Sequence, residues 1–120
     1  MQAGEIVLLH LINPSEKYWG AMLMIAPHGV TLRGINLASF DDWLADLSSD
    51  DEPDLGTTTV FFPMHRIECI FLDAPAWAVP SCQQRLERRT GRAVTDVLDL
   101  HGEDDALLGG ALADGGKLTN

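Results

Sequence analysis

The chain has 120 residues, which suits one domain, and 46% of them are hydrophobic, too many for an intrinsically disordered protein. Its net charge is −10, so a phosphate backbone meets repulsion over most of the molecule and general nucleic-acid binding is disfavoured. No apolar run reaches the ~18 residues that span a bilayer, and the N-terminus lacks the basic segment and cleavage site of a secretory signal, so a cytoplasmic location is expected.

Residues 5–12 (EIVLLHLI) are rich in leucine and β-branched residues and end at Asn13-Pro14-Ser15, a turn cluster, which reads as a strand and a tight connection. Large apolar groups stand on both faces of this strand: Ile6, Leu8 and Ile12 on one, with His10, and Val7, Leu9 and Leu11 on the other. Residues 17–26 form a second strand with Gly20 in its middle, where a missing Cβ permits a sharp bend. After the turn Pro27-His28-Gly29, residues 30–37 alternate as a third strand, and Gly34 is a second candidate bend. The period then changes. Phe40, Trp43, Leu44 and Leu47 recur at helical spacing, with Ser39 as N-cap and Asp41 and Asp42 in the first turn, so a helix is expected over 40–48.

Residues 41–55 hold seven acids and no base, and 49–56 read as a mobile acidic surface loop. Residues 57–62 form a fourth strand that Pro63 interrupts, and residues 64–72 a fifth. Strict alternation in the fifth puts His65, Ile67, Cys69 and Phe71 on one face and Met64, Arg66, Glu68, Ile70 and Leu72 on the other. Pro75 to Pro80 is a linker holding Trp77. Ser81 and Gln84 form a capping box for a helix over 82–90 that stops at Gly91, and Val94, Val97 and Leu98 suggest a further turn. Residues 101–120, rich in Gly, Ala and Asp, are expected to be a flexible acidic tail. The organisation is thus a β-unit over 1–74 with a helical insertion at 40–48, then a linker and helical segment over 75–100, then the tail.

The segments GEIVLLHLINPSEKYWGAMLMIAPHGVTLRGI (4–35) and VFFPMHRIECIFLD (60–73) resemble the two halves of the Sm-like superfamily, which includes Sm, LSm and Hfq proteins. Met64-His65-Arg66-Ile67 lies where Hfq proteins carry Lys-His-x-Ile, so His65 carries over and Met64 stands in place of the lysine. The resemblance implies a mainly β fold, a small five-stranded, strongly bent SH3/Sm-like barrel with short peripheral helices at about 40–48 and 82–90. It also implies rings built by pairing the edge strands of adjacent subunits. The two apolar faces of strand one agree with this, because a barrel of about 70 residues has one interior and needs a lid for the other face. Phe40, Trp43, Ile6, Leu8, Ile70 and Leu72 are the expected contacts.

The expected function is a non-enzymatic, homo-oligomeric assembly or scaffold module that binds a protein partner. The alternative is an Hfq-like RNA binder using His65, Arg66 and Arg33. The histidines His10, His28, His65 and His101 show no metal-ligand spacing, the acids do not match a calcium loop, and no nucleophile elbow is present. No cofactor or metal is expected. Cys69 and Cys82 make no disulfide framework and read as plain thiols. The basic cluster Arg85, Arg88, Arg89 and Arg92 reads as a solvated helix face.

Overall fold

A computed structural model describes residues 1–48 and 56–100. The strands are β1 (Ile6–Leu11), β2 (Glu16–Ala26), β3 (Gly29–Asn36), β4 (Thr58–Pro63) and β5 (Ile67–Leu72); the helices are α1 (Phe40–Ser48), α2 (Cys82–Thr90) and α3 (Val94–Val97). The strands form one antiparallel sheet in the order β4-β3-β2-β1-β5. The fold is therefore mainly β with a few short helices. The sheet is not closed: β4 and β5 are its two edges, joined by a 3-10 turn over Met64–Arg66.

The sheet nevertheless curls on itself. Val60 and Phe62 of β4 pack in the same apolar cluster as Ile67 and Ile70 of β5, although these strands lie at opposite ends of the strand order. Val7, Leu9, Leu11, Met22, Val30 and Leu32 complete that interior. The Tyr18 and Phe62 rings meet at 4.9 Å across the concave side, joining strands that are not neighbours. Gly20 and Gly34, the two candidate bends, stand opposite each other in the β2–β3 ladder. A Cβ on Gly34 would lie 1.9 Å from the Trp19 carbonyl oxygen, and one on Gly20 would lie 2.2 Å from that of Arg33. Only glycine permits this approach of the two backbones, at the point where the sheet turns.

The other face of the sheet has its own core. Trp19, Ala21 and Ile35 meet Phe40, Trp43 and Leu44 of α1, Leu86 of α2, and Val94 and Leu98 around α3. Trp19 lies at the centre, 5.2 Å from the Phe40 ring and 5.8 Å from that of Trp43. Ile6 and Leu8 pack against this cluster. The lid that strand one requires is thus supplied by the chain's own helices. Each large side chain so enclosed contributes about 1.5–3 kcal/mol relative to exposure.

Three local expectations are corrected. The segment 64–66 is a 3-10 turn, so β5 starts at Ile67. Cys69 pairs with His10 and Ile67 with Leu11, which leaves Glu68 as an extra residue, a β-bulge. The bulge breaks the alternation, and Ile67 and Ile70, three apart, both reach the interior. Finally, Ser39 is not the cap of α1. A 3-10 turn over Leu37–Ser39 leads into the helix, and Asn36 caps that turn by accepting the Ala38 N–H at 2.9 Å. The expected acidic loop (apart from Gly56) and the tail from residue 101 lie outside the described residues.

Candidate interaction surface at the sheet edges

The two edge strands are six residues each, and among the described residues each has a strand neighbour on one side only. Both carry exposed apolar groups. On β5 the Phe71 and Leu72 side chains are about half exposed, at 50% and 49%. Beyond them a turn closed by reciprocal Ala76–Val79 backbone hydrogen bonds of 2.9 Å holds Trp77 and Val79 out in solvent. Trp77 has φ +56, the left-handed region that a residue of its size rarely adopts. On β4 Phe61 is exposed, with the His28 ring 5.6 Å away. Met24 continues the patch, because Met24, Thr31 and Phe61 are aligned across β2, β3 and β4.

The residues expected to contact a partner divide sharply. Phe40 and Trp43 are 1% and 2% exposed and belong to the core beneath α1, so they have no surface to offer. Ile6 and Leu8 pack against that same core, and Ile70 against the interior. Leu72 alone among the six stays substantially exposed, on an edge. From sequence, Phe61, Phe71 and Trp77 read with the other aromatics as core and interface packing rather than as stacking platforms for bases, and Val79 carries no signal; the structure puts all four at the surface. Trp77 did carry a signal, since it sits between Pro75 and Pro80 in a segment without helix or strand periodicity.

The three residues expected around an RNA site are not brought together by any shared partner. Arg66 donates from Nε to the Ile12 carbonyl at 2.8 Å, and from Nη2 to the Pro14 carbonyl at 2.9 Å and to Glu16 Oε1 at 3.2 Å. It thereby ties the β4–β5 connection to the β1–β2 turn. Arg33 donates from Nε to Thr59 Oγ1 at 3.0 Å and from Nη1 to the Leu98 carbonyl at 3.3 Å, and pairs with Asp99 at 3.8 Å. It ties the sheet to the end of α3. His65 is exposed on the 3-10 turn. An open cleft of about 560 Å³ lies beside the start of β2, lined by Ser15, Glu16, Lys17, Asn36, Leu37 and Ala38; its one carboxylate, Glu16, is held by Arg66.

A polar junction fastens the helical lid to the sheet. Asp73, just after β5, accepts the Trp19 indole N–H at 3.0 Å and the backbone N–H groups of Cys82 and Gln83 at 3.0 and 2.8 Å. One carboxylate thus satisfies a buried indole and the first turn of α2, where negative charge suits the helix dipole. Ser81 and Gln84 make the reciprocal capping box expected from sequence. Arg85 of α2 pairs with Asp41 of α1 and lies over the Phe40 ring. Burial, and then the neighbouring Asp73 carboxylate, push the Cys82 thiol up to about 11, so it is an uncharged packing group at neutral pH.

Compared with known proteins, the chain matches no family model, no curated protein and no solved structure. The functional reading therefore rests on the geometry of the chain itself. Among the described residues no helix is long and apolar enough to cross a membrane.

Proposed function

We propose that this protein is a homo-oligomeric assembly module of the Sm-like type, in which β4 of one copy pairs with β5 of the next. The observation that carries this reading is the pair of equally long edge strands at the two ends of one curled sheet, each without a second strand neighbour among the described residues and each bearing an exposed aromatic group. A free edge of this kind is a template for another strand unless it is blocked. The two edges differ in sequence, so the contact is head-to-tail, and repetition of a head-to-tail contact closes into a ring or runs into a filament. Pairing would satisfy the outward backbone groups and cover Phe61, Phe71 and Leu72 together. Trp77 and Val79, displayed beside β5, then offer a surface to a protein partner, in keeping with a scaffold role. The RNA-binding alternative is the weaker reading, because Arg33 and Arg66 are committed within the chain and the net charge is −10.

Native mass spectrometry and light scattering test the proposal. The expected mass is that of two or more copies of the 13.1 kDa chain. Phe61→Lys disables β4, and Leu72→Lys disables β5, so each variant alone is expected to be monomeric. Mixed together, they retain one complementary pair of edges and are expected to form a heterodimer that grows no further. A wild-type protein that stays strictly monomeric at micromolar concentration overturns the reading.

A further inference from the structure

Where β1 pairs with β5, three side chains of metal-binding type converge. His10 stands opposite Cys69 in the ladder, and the bulge adds Glu68 beside Cys69. One nitrogen, one sulfur and one carboxylate oxygen, from His10, Cys69 and Glu68, all lie within 4.8 Å of one another. We propose that these three residues form a binding site for a divalent transition-metal ion, with zinc as the best match.

In a regular strand Glu68 and Cys69 would point to opposite faces, as strict alternation predicts. The extra residue turns both toward His10, and bulges re-aim side chains in this manner at functional positions. Among the described residues none of the three side chains takes part in a hydrogen bond or ion pair, so the donor atoms are not committed elsewhere. The Phe71 ring packs against the imidazole at 4.8 Å between centroids and restrains its orientation. His10 and Cys69 are half buried and Glu68 is exposed, so an ion can enter from solvent past the carboxylate.

The donor set selects the metal. Imidazole, thiolate and carboxylate together suit a borderline-soft ion such as zinc and do not suit magnesium or calcium, which take oxygen ligands. In a tetrahedral zinc site with bonds of ~2.0–2.3 Å, ligand atoms lie roughly 3.3–3.8 Å apart. Closing the observed cluster onto an ion therefore shortens separations of at most 4.8 Å by no more than about 1.0–1.5 Å. Three protein ligands leave a fourth position for water. A metal-bound cysteine is a thiolate, so binding displaces the Cys69 thiol proton to solvent. Glu68 follows His10 by 58 positions in the chain, so no local spacing motif could signal the site. The proposal does not depend on assembly.

The test uses the full chain with zinc and with cobalt as its spectroscopic substitute. One equivalent of cobalt per chain is expected to produce a thiolate-to-cobalt charge-transfer band and intense tetrahedral d–d bands. Zinc is expected to displace cobalt and to bind with one-to-one stoichiometry in competition with a chromophoric chelator. Cys69→Ser is expected to remove the charge-transfer band, while Glu68→Gln and His10→Ala each weaken zinc binding by about tenfold or more. Cys82→Ser and His65→Ala should leave both readouts unchanged. Glu68 is exposed, so its variant tests the site in an intact fold, and far-UV dichroism checks the other variants. No band in the wild type, a band that survives Cys69→Ser, or zinc affinity unchanged in both Glu68→Gln and His10→Ala overturns the proposal.

Discussion

Replacing Asp73 by alanine should loosen the helical lid through two separable losses. The first is the Trp19 indole N–H, which is buried with a ring that is 0% exposed and loses the carboxylate it donates to. An orphaned buried donor costs about 1–3 kcal/mol. The second is the start of α2, where the Cys82 and Gln83 N–H groups lose their acceptor while Ser81 still caps Gln84. Loss of a helix cap costs about 0.5–2 kcal/mol. Together these give roughly 3 kcal/mol, or about 12–24 °C in Tm at ~4–8 °C per kcal/mol for a domain of this size. Urea denaturation followed by far-UV dichroism measures it. A double-mutant cycle with Trp19→Phe separates the parts, because phenylalanine has no N–H to orphan. In that background the Asp73→Ala penalty should shrink by about 1–3 kcal/mol. A coupling below ~0.5 kcal/mol would refute the claim that this carboxylate satisfies the indole.

Two further predictions concern the sheet and the thiol. Gly34→Ala places a Cβ against the Trp19 carbonyl, a backbone atom that cannot turn aside; a loss of at least about 1–3 kcal/mol in chemical denaturation is expected, whereas a neutral result would mean that the bend is not held by the glycine pair. Cys82, raised from 9.0 to about 11 first by burial and then by Asp73, is about 0.1% thiolate at pH 8 rather than about 10%. Its alkylation in the folded protein should therefore run roughly a hundredfold slower than in the unfolded chain. Because the folded value lies above the unfolded one, the contribution of this thiol to stability is complete below pH 9 and is lost as pH rises towards 11.

Local patterns are legible in the sequence wherever one rule acts alone. The helix over 40–48 followed from spacing, and the helix over 82–90 from its capping box and terminal glycine, because these signals lie within a few residues of one another. The strands were legible from their apolar runs, and the bends from Gly20 and Gly34. The fate of the second apolar face was not. Phe40 and Trp43 look alike in sequence whether they meet a partner or the chain's own sheet, and the choice depends on how α1 folds back onto Trp19. Arg33 and Arg66 looked free for a ligand because their partners are mostly carbonyl oxygens far along the chain, and every residue has such an oxygen. The bulge at Glu68 was illegible for a similar reason, since it is a property of two paired strands and is written in neither.

β1 is enclosed by oily neighbours above and below, which carries a consequence for how the sheet finds its alignment. In an ordinary half-wet sheet, sliding one strand by a single residue throws its greasy set into water, and the error corrects itself. Here such a slide would merely exchange Ile6 and Leu8 for Val7 and Leu9, so hydrophobicity says little about which frame is right. That decision falls to the one residue of the strand that is not aliphatic, His10, whose exchange for a neighbour would put an imidazole into an oily interior.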